Sequence, residues 1–212
     1  MAIPVIFAPE IRRALERIGR AGALWPAATK SVTQEFEQTV RAIVSAVARL
    51  SARQHGALIV MQKLDSLDAY MESGVQMNAR VTPELLLQVF YPNTPLHDGA
   101  VIIVGTQLVA AACVMPLSAS GILNRSPDRQ MGLRHRAALG ISEASDAVAI
   151  VVSEDSGAIS IAHSGRMIRR LDPERLENVL VAFFRPTNEP RKSFIWERFF
   201  PYWFTHKETK EE

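Results

Sequence analysis

The chain has 212 residues, 48% of them hydrophobic, which suits one domain of ordinary size with a real core plus extensions. A net charge of only +2 gives no argument for nucleic acid as a partner. No stretch reaches the ~18 to 20 apolar residues of a membrane span, the apolar start MAIPVIF lacks the basic front of a signal peptide, and a single cysteine cannot form an internal disulfide, which suits a reducing compartment.

Residues 10–20, EIRRALERIGR, read as a short basic helix with Ile11, Leu15 and Ile18 on one face, and 22–30, with Pro26, as a linker. Phe36, Val40, Ile43, Val44, Val47 and Leu50 recur at three- and four-residue spacing and predict a longer helix over 31–55, with Ser31 and Gln34 as its capping box. ALIVMQ, 57–62, predicts a buried strand, and 68–73 a helical turn ended by Gly74. Thr82-Pro83-Glu84 supplies an N-cap, a first-turn proline and an acidic first turn, so 85–91 is helical until Pro92 and Pro95 end it. Apolar runs at 100–104 and 107–115 meet at Gly105-Thr106 and predict a hairpin. Cys113, in the second run, reads as a small core hydrophobe rather than a catalytic thiol. A polar loop follows over 118–130, then a helix over 134–144 and a buried strand, AVAIVVS, over 147–153. The turn from Glu154 to Gly157 leads into AISIAHSG, Gly165 turns into RMIRRL, and Asp172-Pro173 starts a helix to about Phe184. After Pro190, SFIWERFFPYWF reads either as a docked amphipathic tail or as a membrane-interface or partner-binding segment. The order is α+β or mixed α/β with a largely mixed sheet, without a strict βαβ repeat.

Three clusters each admit a plain and a chemical reading. His97-Asp98-Gly99 is either an ordinary turn or a carboxylate held at the mouth of a buried strand, where Asp98 can ligand a hard metal or orient a hydroxyl. On the second reading Gly99 lets a ligand approach the backbone. Arg134-His135-Arg136 is either a solvated basic face or an anion site. Cations at a helix start oppose the dipole, whereas free amides and arginine forks suit phosphates. Ser153-Glu154-Asp155-Ser156-Gly157 is either a hairpin turn or a second source of carboxylates. No zinc-like spacing, Walker motif or Rossmann glycine pattern is present.

Taken together, PLHDGAVII, RHRAALGISE, VVSEDSGAIS and ARVTPELLLQVFYPNTPLHDGA closely resemble the diadenylate cyclase domain, whose defining pair is a DGA motif (Asp98-Gly99-Ala100) and an RHR motif (Arg134-His135-Arg136). The likeness runs over 56–185. FAPEIRRALERIGR is similar to the segment after the transmembrane helices of the membrane-bound bacterial type. The resemblance thus divides the chain into a juxtamembrane-like helix and linker (1–30), the cyclase domain with its leading helix (31–185) and an aromatic, then charged tail (186–212). As given, the chain is expected to be cytoplasmic, or to lie at the cytoplasmic face of the cell membrane if it is the anchor-less part of a longer protein.

The resemblance implies a slightly barrel-like mixed sheet of about seven strands surrounded by helices, with an N-terminal helical extension. It also implies a metal-dependent condensation of two ATP into cyclic di-AMP, releasing two pyrophosphates. The divalent ion would be manganese, magnesium or cobalt, with Asp98, and secondarily His97, as ligands. Asp98, Gly99, Arg134, His135 and Arg136 would be catalytic. An unperturbed aspartate, pKa ~3.9, is a weak base, so Asp98 would work with a metal that acidifies the 3′-hydroxyl. ATP would also touch Ala100, Gly132, Leu133, Ser153 and Asp155, with Met61, Leu96 and Leu117 against adenine. The working form would be a two-fold, face-to-face homodimer, with room for a regulatory protein partner and no nucleic acid. The chain departs from the family's usual GTRHR at Leu133, which removes a hydroxyl, and its loop over 119–131 is longer. The rivals are a nucleotide-binding relative without turnover and an interaction module using the aromatic tail and the 31–55 helix.

Overall fold

A computed structural model describes residues 28–118 and 132–184, with side chains from residue 34 onward. The expected helix over 10–20, the loop over 119–131 and the aromatic tail lie outside the described residues.

Strands β1 (Ala57–Met61), β3 (Ala100–Val104) and β5 (Val148–Val152) are the near-continuous apolar runs of the sequence, and they form the centre of the sheet. Such runs are what a sheet covered on both faces requires. With β2 (Val75–Arg80), β4 (Gln107–Cys113), β6 (Ile159–His163) and β7 (Arg166–Leu171) they make one seven-stranded sheet in the order β2-β4-β3-β1-β5-β6-β7. The β1–β3 pair is parallel and the others antiparallel, so the sheet is mixed, as expected.

Alternate residues divide between two cores. Ala57, Ile59, Met61, Val101, Ile103, Val148 and Ile150 face helices α1 (Ala28–Ala52), α3 (Pro83–Val89) and α5 (Pro173–Phe184). Leu58, Val60, Ala100, Ile102, Ala149 and Val151 face α2 (Asp68–Met71) and α4 (Leu133–Ala144). Helix α1 buries Val40, Ile43, Val44, Val47 and Leu50, the set its periodicity picks out. Thr82 caps α3 by accepting from the Leu85 amide at 3.2 Å. The small residues of α4, Ala137 and Ala138, let it lie close on the sheet. Gly140 goes further, because a Cβ there would collide with the Pro116 carbonyl as the chain leaves β4.

Three expectations need correction. Helix α1 begins at Ala28 and ends at Ala52, so Ser31 lies inside the helix and is not its cap, and the linker is shorter than 22–30. Strand β2, missed in the sequence, pairs with β4 at the edge of the sheet. Its polar residues fit because most of the strand is exposed or half-exposed. Strand β4 stops at Cys113, after which Val114 turns out to 69% exposure. Cys113 itself is 1% exposed, and burial pushes its thiol up to about 11, which fits an inert core position. Among the described residues no helix is long and apolar enough to cross a membrane.

Candidate active site

The three clusters meet at one end of the sheet, where β1 and β3 begin and β5 ends. Pro92 and Pro95 break the chain after α3 into consecutive turns. In the second of these the His97 amide and the His97 Nδ1 both reach the Thr94 carbonyl, at 3.3 and 2.5 Å. A carbonyl only accepts, so the ring carries its proton on Nδ1 and leaves Nε2 as its acceptor. Asp98 follows on the surface, exposed.

Gly99 has φ +111°, and a Cβ would lie 2.8 Å from the Ala112 carbonyl carbon. The tightness comes from a bulge. Ala100 pairs with Cys113 but Ile102 pairs with Ala110, and Ala112 takes φ +56° to absorb the extra residue. The space that a side chain would need is filled by the neighbouring strand. Gly99 is therefore required by the fold itself, beside any ligand it admits.

Helix α4 starts at Gly132, which offers no side-chain cap, and its first turn has no acidic residue. Arg134 is 19% exposed. Its Nη1 donates to Glu154 Oε2 in an ion pair, and its Nη2 reaches the His97 carbonyl oxygen at 3.5 Å. One guanidinium thus ties the DGA turn to the SEDSG turn. Its Nε is buried without a hydrogen-bond partner among the described residues. Arg136 is half-buried, and its guanidinium makes no hydrogen bond or ion pair among the described residues. The His135 ring is pushed below its ordinary pKa, chiefly by burial and further by the Arg169 guanidinium, against an opposing pull from Asp155. Of the three expected cations, the histidine between the two arginines is held toward its neutral form.

Ser153 and Asp155 lie on the turn after β5. The Ser153 hydroxyl accepts from the Ser156 amide at 3.4 Å, and the Gly157 amide donates to the Ser153 carbonyl at 2.9 Å. The turn is pinned from the other face of the sheet. Gly157, φ +69°, sits against the Ser51 backbone of α1, and the Ser51 hydroxyl donates to its carbonyl at 2.6 Å.

The expected adenine contacts fare unevenly. Met61 is 1% exposed inside the core beneath α1, α3 and α5, so its side chain is a core residue rather than the adenine contact expected of it. Ala100 is fully buried, so its side chain is core and only its backbone can serve a ligand. Leu96 is half-buried, Leu117 is 46% exposed and Leu133 is 68% exposed, all open to a ligand. Two residues were not singled out in the sequence. Arg169 on β7 is brought to His135 by the register that pairs it with Ser160, after a bulge at Arg170, φ +56°. Gly56 lies directly under Arg134 and Glu154. Only strand pairing reveals the first, and only side-chain geometry the second.

Residues 44–167 match the model of the DAC family, described as DisA bacterial checkpoint controller nucleotide-binding. The chain is 41% identical over 196 residues to the cyclic di-AMP synthase CdaA of Bacillus subtilis, covering 92% of this chain and 70% of that protein. It is 41% identical over 181 residues to a diadenylate cyclase of Listeria monocytogenes, covering 85% of this chain and 64% of that protein. Among solved structures, a double mutant of DacA from Staphylococcus aureus superposes with a TM-score of 0.66 at 42% identity, over 70% of this chain and 97% of that one.

Proposed function

The chain belongs to the DAC nucleotide-binding family, and from that premise we propose that it condenses two molecules of ATP into cyclic di-AMP with release of two pyrophosphates. The observation that carries the reading is the meeting of the DGA, RHR and SEDSG segments through Arg134, which touches His97 and Glu154 at once. Residues 37 and 20 apart in sequence are otherwise unrelated.

In each half-reaction the 3′-oxygen of one ATP forms a bond to the α-phosphorus of the other. The bond from that phosphorus to the bridging oxygen of pyrophosphate breaks, and the hydroxyl proton is lost. Such transfers depend mostly on positioning and on stabilising charge. Arg134 and Arg136 hold phosphate oxygens, each offering a planar fork of donors, and the uncapped first turn of α4 adds amides. A neutral His135 can donate or accept one hydrogen bond without adding a third full charge. Asp98 acts at the ribose hydroxyl. Leu96 and Leu117 offer apolar surface for adenine, and Ser153 and Asp155 border the phosphates.

The donors at this end fit a divalent ion. Asp98 is an exposed carboxylate and His97 keeps Nε2 open, whereas no group of three or more metal-ligating side chains converges among the described residues. A small hard ion held by one or two protein groups plus substrate phosphates needs no more. When bound it would neutralise phosphate charge and make the 3′-hydroxyl more acidic. Manganese, magnesium and cobalt are the ions to test.

The catalytic unit is the domain with its leading helix, residues 31–185. The product has two-fold symmetry and each chain offers one site, so turnover takes two chains face to face. A relative that binds ATP without turnover is the second reading, favoured by the apolar Leu133 at a phosphate-facing helix start. Incubation with ATP and manganese or magnesium, with the product identified by mass, decides between them. Cyclic di-AMP with two pyrophosphates per product establishes the cyclase, and ATP binding without product establishes the other.

A further inference from the structure

Three contacts hold the Arg134 guanidinium, and two of them come from residues outside the DGA and RHR motifs. Arginine carries a long, rotamer-rich side chain, and fixing it beforehand lowers the cost of each hydrogen bond it later makes. Three constraints act on its guanidinium. Nη1 is paired with Glu154, and Nη2 faces the His97 carbonyl at 3.5 Å. Beneath it lies Gly56, where a Cβ would stand 2.7 Å from Nη1, 3.0 Å from Cζ and 2.8 Å from Glu154 Oε2. Any side chain at residue 56 would push both partners out of place. Two of the five N–H donors are then used, which leaves the remaining Nη hydrogens for a ligand oxygen, while Nε is buried without an acceptor among the described residues. We propose that Gly56 and Glu154 are positioning residues that hold the Arg134 fork toward an ATP phosphate. This rests on the reading of the site as one that binds ATP phosphates.

Glu154 is also 63% exposed, so a rival role exists. A carboxylate on a phosphate-binding arginine can simply compete with the ligand. The two roles predict opposite signs. Glu154→Ala, Glu154→Gln and Gly56→Ala are compared with the intact chain for affinity toward ATP and toward adenosine, by calorimetry, and for melting temperature. Positioning predicts that Glu154→Ala and Gly56→Ala weaken ATP by at least about fivefold, with adenosine changed by less than about twofold. Glu154→Gln, whose amide oxygen can still accept from Nη1, should recover much of the loss. If Glu154→Ala and Glu154→Gln both bind ATP as well as or better than the intact chain, Glu154 is a competitor and the proposal is wrong. Equal weakening of ATP and adenosine with a lower melting temperature makes it merely structural and overturns the proposal as well. An intact chain that yields no cyclic di-AMP while this affinity pattern holds would remove the cyclase reading and leave the aiming of Arg134 in place.

Discussion

Asp98 and Gly99 are neighbours with opposite burdens. Asp98 is exposed and its backbone is unremarkable, so an amide of the same shape should leave the fold within about 0.5 kcal/mol. Asp98→Asn should keep the melting temperature and ATP binding while losing more than about tenfold in turnover, some 1.4 kcal/mol of barrier. A variant keeping a tenth or more of the rate would remove Asp98 from the chemistry. Gly99→Ala should fail differently. Its φ of +111° and the 2.8 Å approach to Ala112 make any Cβ a clash with backbone that cannot step aside. Strain of about 1–3 kcal/mol, with the clash added, should lower the melting temperature by many degrees or prevent folding. An alanine variant as stable as the parent would show that the bulge adapts. The HDG triplet alone left turn and site open as alternatives. Contacts resolve Gly99 toward the turn, because the bulge that crowds it is written in a different strand.

At the scale of elements, the legible ones announced themselves by apolar runs or caps. Strands β1, β3 and β5 are buried on both faces and so are apolar throughout, and α3 has its cap, proline and acid in order. Strand β2, VQMNAR, was illegible because an edge strand with one wet face needs no such run. The bulges at Ala112 and Arg170 were illegible because neither residue type advertises a positive φ. Helix α4 joins both kinds. Its small-residue face was readable, yet its effect on His135 depends on β7 delivering Arg169. Burial and that guanidinium lower the folded pKa below the ordinary 6.5, so the unfolded chain binds the proton first. Stability should be whole above about pH 6.5 and decline as pH falls toward the folded value, with a slope no steeper than about 1.4 kcal/mol per pH unit for one proton. Melting curves from pH 8 to 5 should therefore fall less steeply for His135→Gln than for the parent. Parallel curves would mean that His135 titrates alike in both states.

For the molecule as a whole, the sheet order explains why one end became the site. Strands β1, β3 and β5 are adjacent at its centre, so the start of β3 and the end of β5 stand on either side of the start of β1, where Gly56 carries the Arg134–Glu154 pair. Helix α1, on the far face, secures the same end by its Ser51–Gly157 hydrogen bond across 106 residues. The motifs were readable in the sequence, but their convergence needed this topology. All three stand at the end of one chain, with one set of proposed phosphate-binding residues, whereas cyclic di-AMP joins two nucleotides through two equivalent bonds. On the proposed reading one chain holds one ATP, and the second α-phosphate comes from another chain. In the proposed dimer, two chains related by a two-fold axis supply each other's electrophile, and both bonds form in the same geometry. At saturating ATP the rate per chain should then rise in proportion to protein concentration while dimers are scarce, and level off once they dominate. Mixing the intact chain with a large excess of Asp98→Asn should suppress it, because nearly every intact chain is then paired with one that cannot complete the second bond. Sedimentation run alongside fixes the concentration of dimer. Constant specific activity through a range containing only monomer would contradict the two-chain arrangement, and would require one chain to bind both nucleotides.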